Sequence, residues 1–323
     1  MPVPESVVSR LRAAGCVFAE DEARLLTSAA GAPADLDAMV RRRVAGEPLE
    51  QVLGWAEFCG LRITVAPGVF VPRRRTEFLV RQAVALTKPG DVIVDLCCGA
   101  GAIGAALAAA VNRAEVHAVD IDPAAVRCAR RNVPGQVYQG DLYEPLPGRF
   151  RGRVGILAAN VPYVPAAEIR FLPPEARAHE PLVALDGGPD GLDVLRRVAA
   201  GAPAWLAAGG HLLIETSERQ AAQAAAAFAD SGLNSRVVSS ADRSATVVIG
   251  RLAASPAQRV DQQLDGIRRY GRRRIERDRD IPGVDSVLAE AHPGQPDGIG
   301  VHPEHAPTRA SATSGHYPPH PLA

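Results

Sequence analysis

The segment DVIVDLCCGAGAIGAALAAAV, residues 91–111, constrains the fold more than any other part of the chain. It opens on an apolar run of strand length, continues through Gly99, Gly101 and Gly104 in a G-x-G-x-x-G spacing, and ends in small apolar residues suited to a buried helix. A strand turning tightly into a helix is the first half of a βαβ unit. The pattern then repeats. EVHAVD reads as a strand, PAAVRCARRNV as a helix, a short third strand precedes GDLYEPL, and RVGILAAN is a fourth strand. Beyond it come a helical LDVLRRVAAGAPAWLA, the strand GHLLIE and the alanine-rich helix ERQAAQAAAAFAD. The last two strands, SRVVSS and ATVVIGR, have no long helix between them and are expected to pair as an antiparallel edge. Strands alternating with helices make this an α/β domain with a mostly parallel sheet covered on both faces.

The flanks divide the rest. Residues 1–50 carry apolar positions at helical spacing (Val7, Val8, Leu11, then Leu25, Leu26), which predicts a small helical N-terminal region. Residues 51–88 hold FCGLRITVAPGVFVP, whose alternation around Pro67-Gly68 predicts a hairpin, followed by a linker helix. The α/β domain is expected over 89–252. From 253 to 323 the composition changes: RRYGRRRIERDRD reads as a charged helix, and 290–323, rich in His, Pro, Gly and Ser, as disordered.

Thirty-six basic residues balance 36 acidic ones, which argues against a broad nucleic-acid footprint. The five cysteines lack metal-ligand spacing and follow no leader or bilayer-length apolar run, so no metal, no membrane and a reducing cytoplasm are expected.

The glycine spacing alone is a weak signal, since small residues also let a helix pack closely on a strand. Two acids sharpen it. Asp120 ends the second strand, where a carboxylate can accept both hydroxyls of a ribose, although a strand-end turn suits it too. Asp95, just before the loop, would repel a pyrophosphate but suits the cationic amine and sulfonium of S-adenosylmethionine, which favours a methyl donor over NAD. Leu96, Cys97, Cys98, Gly99 and Gly101 complete the candidate cofactor loop, the two cysteines reading as packing residues and not as a redox pair. Asp141 after the third strand can meet an adenine amino group or cap a turn, with Leu142 against the ring.

The fourth strand ends in Asn160-Val161-Pro162-Tyr163. A planar NH₂ group is a poor nucleophile because its lone pair is delocalised, so it must be held. The Asn160 side-chain oxygen and the Val161 carbonyl can each accept one of its hydrogens, Tyr163 can lie against the planar group, and Pro162 fixes the turn. Asn160, Pro162 and Tyr163 are the candidate catalytic residues, and Asn160 to Tyr163 the acceptor site. The bare alternative is an ordinary turn.

The ordered set GEPLEQVLGWAEFCGLRITVAPGVFVPRRRTEFLV, DLCCGAGAIG, VDIDPAAV, GDLYEPL, NVPY, EPLVALDGGPDGLDVL and GGHLLIETSERQ resembles the HemK/PrmC-like protein glutamine methyltransferases over roughly residues 46–252. The resemblance implies a class I S-adenosylmethionine-dependent fold, Rossmann-like with a seven-stranded mostly parallel sheet, and a small helical N-terminal domain that grips a protein substrate. It also implies methyl transfer to an exposed glutamine amide, in a release factor or ribosomal protein. By it, Asp95 to Gly99 and Asp120 bind the cofactor, Leu142 flanks adenine, Asn160 touches cofactor and substrate, and Asn160 to Tyr163 hold the glutamine. The family's usual Asn-Pro-Pro-Tyr stands here as Asn-Val-Pro-Tyr, and Arg74 and Arg75 replace its proline and acidic residues before Thr76-Glu77.

Three rivals remain at this level: methylation of a nucleic-acid amine through the same clamp, a non-catalytic cofactor-binding interaction module, and an NAD-dependent redox enzyme, which rests only on the Gly99-x-Gly101-x-x-Gly104 spacing and which Asp95 opposes. Glu77, Glu180 and Glu215 read as structural hydrogen-bonding groups. Arg41-Arg42-Arg43 and Arg73-Arg74-Arg75 read as solvated faces, the second near enough to the cleft to meet an acidic protein or RNA. The tail histidines read as solubilising.

Overall fold

The computed structural model describes residues 3–253. The expectations for the Arg-rich segment, the tail and its histidines lie outside the described residues.

Four helices open the chain: α1 (Glu5–Ala13), α2 (Ala19–Ala29), α3 (Pro33–Val44) and α4 (Leu49–Leu53). Their apolar stripes meet in a core of Val7, Leu11, Leu26, Leu36, Val40 and Val52. Of the positions predicted inward, Leu25 faces water, one step round the helix from buried Leu26. The basic triplet of α3 departs further from expectation. Arg43 donates to both carboxylate oxygens of Glu22 on α2, at 2.7 and 3.2 Å, with both side chains nearly out of solvent, and Arg42 grips Glu47.

The hairpin is real, but it turns elsewhere. Strands β1 (Trp55–Phe58) and β2 (Leu61–Thr64) pair antiparallel across Cys59-Gly60. Both turn residues have positive φ, 50° and 74°, as a two-residue hairpin turn with matching twist requires. A cysteine in that position carries no turn signal, which is why Pro67-Gly68 stood out instead. Helix α5 (Glu77–Leu86) then leads into the main domain.

There, β3 (Val92–Leu96), β4 (Glu115–Asp120), β5 (Gln136–Gln139), β6 (Val154–Ala159), β7 (Leu206–Thr216), β8 (Leu233–Ser240) and β9 (Ala245–Leu252) form one seven-stranded sheet in the order β5-β4-β3-β6-β7-β9-β8. The first five in that order run parallel; β9 slots antiparallel between β7 and β8. Helices α5, α6 (Ala102–Ala110) and α7 (Pro123–Ala129) cover one face, around Leu79, Leu107 and Val126. On the other lie α9 (Asp193–Gly201) and α10 (Ala221–Asp230), around Leu195, Val198 and Phe228. The short α8 (Pro174–His179) sits in the long connection after β6.

Register decides what meets at the carboxyl edge. Leu96 pairs with Val119 on one side and Ala159 on the other, and Ala159 pairs with Ile214. The next residue of each strand, Asp120, Cys97, Asn160 and Glu215, therefore stands in one row. Strand order reverses between β3 and β6, the place where open α/β sheets bind ligands.

Candidate active site

A cavity of about 520 Å³ opens above that row. Its floor and one wall come from the loops after β3, β4, β5 and β6; the opposite wall comes from residues 70–76 and the connection 172–185.

The three loop glycines serve different ends. A Cβ on Gly101 would lie 2.6 Å from a Val133 methyl, and one on Gly104 would lie 3.2 Å from the Asp95 carboxylate, so both permit close packing of α6. A Cβ on Gly99 would meet nothing within 4 Å, and Gly99 lines the cavity. It is the glycine open to a ligand. Asn132 secures the loop from outside, its side-chain amide donating to the carbonyls of Ala100, at 2.8 Å, and of Thr64 in β2, at 2.9 Å.

Asp120 reaches the cavity and holds the loop. Its Oδ2 accepts from the Gly99 amide at 2.8 Å and its Oδ1 from the Asp122 amide at 2.9 Å. Each oxygen keeps a further acceptor site for a hydroxyl, and burial raises its pKa. Asp141 also lines the cavity, with Oδ2 taken by Arg197 at 2.5 Å. Leu142 (φ 49°), beside it, supplies an apolar surface, and Cys97 and Cys98 lie on the wall.

Asp95, Leu96 and Gly101 are not on the wall. Asp95 points out of the sheet face beneath α6, where Oδ2 accepts the Gly104 amide at 2.8 Å and Oδ1 has no partner among the described residues. Burial pushes its pKa up to about 7. Its place in the strand alternation, shared with Ile93, sends it away from the cavity and under the loop.

Asn160, Val161, Pro162 and Tyr163 all line the cavity. The Asn160 Nδ2 lies 3.5 Å from the Thr76 hydroxyl oxygen, which accepts from it, and this leaves Oδ1 as the atom presented to an acceptor. Behind the turn, the loop 185–191 packs so tightly that a Cβ on Gly187 would lie 2.7 Å from the Pro162 carbonyl, and one on Gly191 2.3 Å from that of Tyr163. Gln220 completes the support, donating to Tyr163 O and Asp190 O at 3.0 Å each.

Sequence reasoning missed Thr76, Gln220, Phe70 and two arginines. Arg73 and Arg75 are on the cavity wall and not on a solvated face. Arg73 donates to Glu180 at 2.5 Å, and Arg75 to Glu215 at 2.9 Å and to the Tyr163 phenol oxygen. Only Arg74 of that triplet is turned outward, toward Glu57. No group of three metal-ligating side chains occurs among the described residues, and no helix there is long and apolar enough to cross a membrane.

Acids at the β4 and β5 ends, an open Gly99 and an apolar patch at Leu142 suit a nucleoside, the carboxylates its hydroxyls and amino group and the leucine its base. Together with the sheet order, they define a class I S-adenosylmethionine-dependent methyltransferase. The methyltransferase small domain family matches residues 60–154. The chain is 38% identical over 199 residues to the release factor glutamine methyltransferase of Geobacter sulfurreducens, covering 60% of this chain and 69% of that one. Over 201 residues it is 42% identical to the enzyme of the same name from Streptomyces coelicolor, at 59% and 71% coverage. It is also 39% identical over 203 residues to a 4-amino-L-phenylalanine/4-methylamino-L-phenylalanine methyltransferase of Streptomyces pristinaespiralis, at 60% and 69%. The chain belongs to the release factor glutamine methyltransferase family, the HemK/PrmC-like protein glutamine methyltransferases.

Proposed function

We propose that this protein methylates the side-chain amide nitrogen of a glutamine in a protein substrate, and that the substrate is a peptide-chain release factor. The observation that carries the reading is Asn160 at the end of β6, its NH₂ turned to Thr76 and its oxygen left for an acceptor. An amide nitrogen attacks poorly while its lone pair is shared with the carbonyl. Two acceptors, Asn160 Oδ1 and the Val161 carbonyl, would orient both of its hydrogens and stabilise the positive charge that develops on nitrogen. Valine keeps the carbonyl that the more usual proline would offer, and Pro162 still biases it toward extended geometry. Tyr163 and Phe70 would flank the planar amide and exclude water.

Gly99, Cys97, Asp120, Asp141 and Leu142 would hold the cofactor, while Asp95 steadies the loop from beneath through Gly104. Bound there, S-adenosylmethionine supplies an electrophilic methyl group. Positioning is the main catalytic device, and no metal enters. Residues 1–50 are proposed to recognise the protein substrate.

A second reading is a free arylamine amino acid, favoured by the similarity to the Streptomyces pristinaespiralis protein named for such a substrate. An arylamine lone pair is delocalised too and needs the same clamp. Labelled methyl transfer from S-adenosylmethionine to a purified release factor, to 4-amino-L-phenylalanine and to RNA separates these. Label on a release-factor glutamine, located by peptide mass spectrometry, supports the proposal. Label confined to the arylamine or to RNA replaces it.

A further inference from the structure

The segment 72–76 lends Pro72, Arg73, Arg75 and Thr76 to the cavity wall, where Thr76 and Arg75 reach the Asn160–Tyr163 turn. Arg75 sits between two groups. Its Nε donates to Glu215 Oε1 at 2.9 Å, and its Nη2 donates to the phenol oxygen of Tyr163. The Glu215 carboxylate is 2% exposed, its second oxygen has no partner among the described residues, and its backbone is locked into the sheet opposite Val247. That makes it a rigid anchor. It stands beside Asn160 because Ala159 pairs with Ile214.

Tyr163 is thus held at both ends: at its carbonyl by Gln220 and at its phenol by Arg75. The phenol oxygen lies on the axis of the second side-chain torsion, so fixing backbone and phenol sets the first torsion and with it where the ring lies in the cavity. Burial, reinforced by the Glu215 charge, raises the phenol pKa against the opposing pull of Arg75, so the group at this contact is the neutral phenol. Arg73 is an internal comparison. It makes a similar pair with buried Glu180, but its guanidinium lies over Phe70, 4.9 Å from the ring centroid.

We propose that Arg75, anchored on Glu215, is a positioning residue for methyl transfer that sets the Tyr163 ring across the acceptor side of the cavity. The kinetic part of this inference rests on the proposed acceptor; the structural part does not. A charged arginine is suited to the task because its planar fork offers a carboxylate and a phenol separate nitrogens in a fixed geometry, where lysine has a single nitrogen. Removing Arg75 alone would strand the Glu215 charge in the protein interior and threaten the fold. Arg75→Gln/Glu215→Gln keeps shape and neutrality, and Tyr163→Phe removes only the phenol contact.

The full chain is labelled with 3-fluorotyrosine, and the Tyr163 resonance is assigned by its loss in Tyr163→Phe. In Arg75→Gln/Glu215→Gln that resonance is expected to broaden as the ring is released, whereas in Arg73→Gln/Glu180→Gln, which removes a nearby charge but no contact to the phenol, it should keep its width. With the release factor as acceptor, Arg75→Gln/Glu215→Gln and Tyr163→Phe should each raise KM about tenfold. The combined variant should be no worse than the weaker single, because all remove one arrangement. Cofactor affinity by calorimetry should hold within about twofold. A Tyr163 resonance unchanged in width by loss of Arg75 and Glu215, or effects on KM that multiply, would overturn the inference. A wild-type protein that methylates no glutamine would instead count against the proposed function, with the fluorine signal still testing the brace.

Discussion

Asp95 shows how far one strand position can move a residue's role. Read as a group facing the methyl donor, it lies under the loop with an oxygen that has no partner among the described residues. Its pKa of about 7 stands above the ordinary 3.8 because burial penalises the charge. Between those values the native protein holds a proton that the unfolded chain has released, so stability falls as pH rises from about 4 to about 7. Asp120 and Glu180, also raised by burial, add to the decline. Thermal unfolding at pH 5 and pH 8 should therefore differ less in Asp95→Asn than in the wild type; an equal difference would remove Asp95 from the account. A second prediction concerns Asn160. Asn160→Ala should lower kcat/KM by about 10²–10³-fold, and Thr76→Val, which lets the Asn160 amide turn, by about tenfold. Both should fold normally by circular dichroism, and a Thr76→Val enzyme of full activity would show that the hydroxyl does not set the amide.

At the scale of elements, the glycine motif divides between packing and access. Gly101 and Gly104 serve the bland purpose of close helix packing, and Gly99 alone faces the cavity. The same division applies to the loop 185–191, whose glycines read in sequence only as part of a family-like run. Gly191 has φ 77° and no room for a Cβ against the Tyr163 carbonyl. Gly191→Ala should destabilise the protein by about 2–3 kcal/mol through backbone strain and displacement of the turn, measured as a lower midpoint in urea. Because the displaced atom belongs to the acceptor turn, activity should fall at temperatures where the variant is still folded. The hairpin is the opposite case: its existence was legible from alternation, but its turn rested on a cysteine with positive φ, a choice for which composition offers no cue.

At the scale of the molecule, the N-terminal helices are tied to the walls of the cavity. Gln51 in α4, 3% exposed, donates to the Val69 carbonyl at 3.0 Å and to that of His179 at 3.4 Å, and Arg43 reaches Glu175 at 3.4 Å. Gln51→Ala strands the Val69 carbonyl, and should cost about 1–3 kcal/mol. It should also speed amide exchange at residues 172–185 ahead of the central sheet, as hydrogen-exchange mass spectrometry would read; unchanged exchange there would show that the tie is idle. What the sequence by itself determined is the local grammar: strand and helix periods, the tight turn after β3, the carboxylates and the Asn-Val-Pro-Tyr turn at strand ends, and hence the α/β sheet. These follow from interactions within a few residues. What only the tertiary structure decided is which charges meet. Arg73 finds Glu180 across 107 positions of chain and Arg75 finds Glu215 across 140. Such pairs depend on sheet register and on where the connections cross the carboxyl edge. An arginine triplet reads the same in sequence whether it faces water or a buried carboxylate, because the low dielectric and fixed geometry that distinguish the two arise only when the chain has folded.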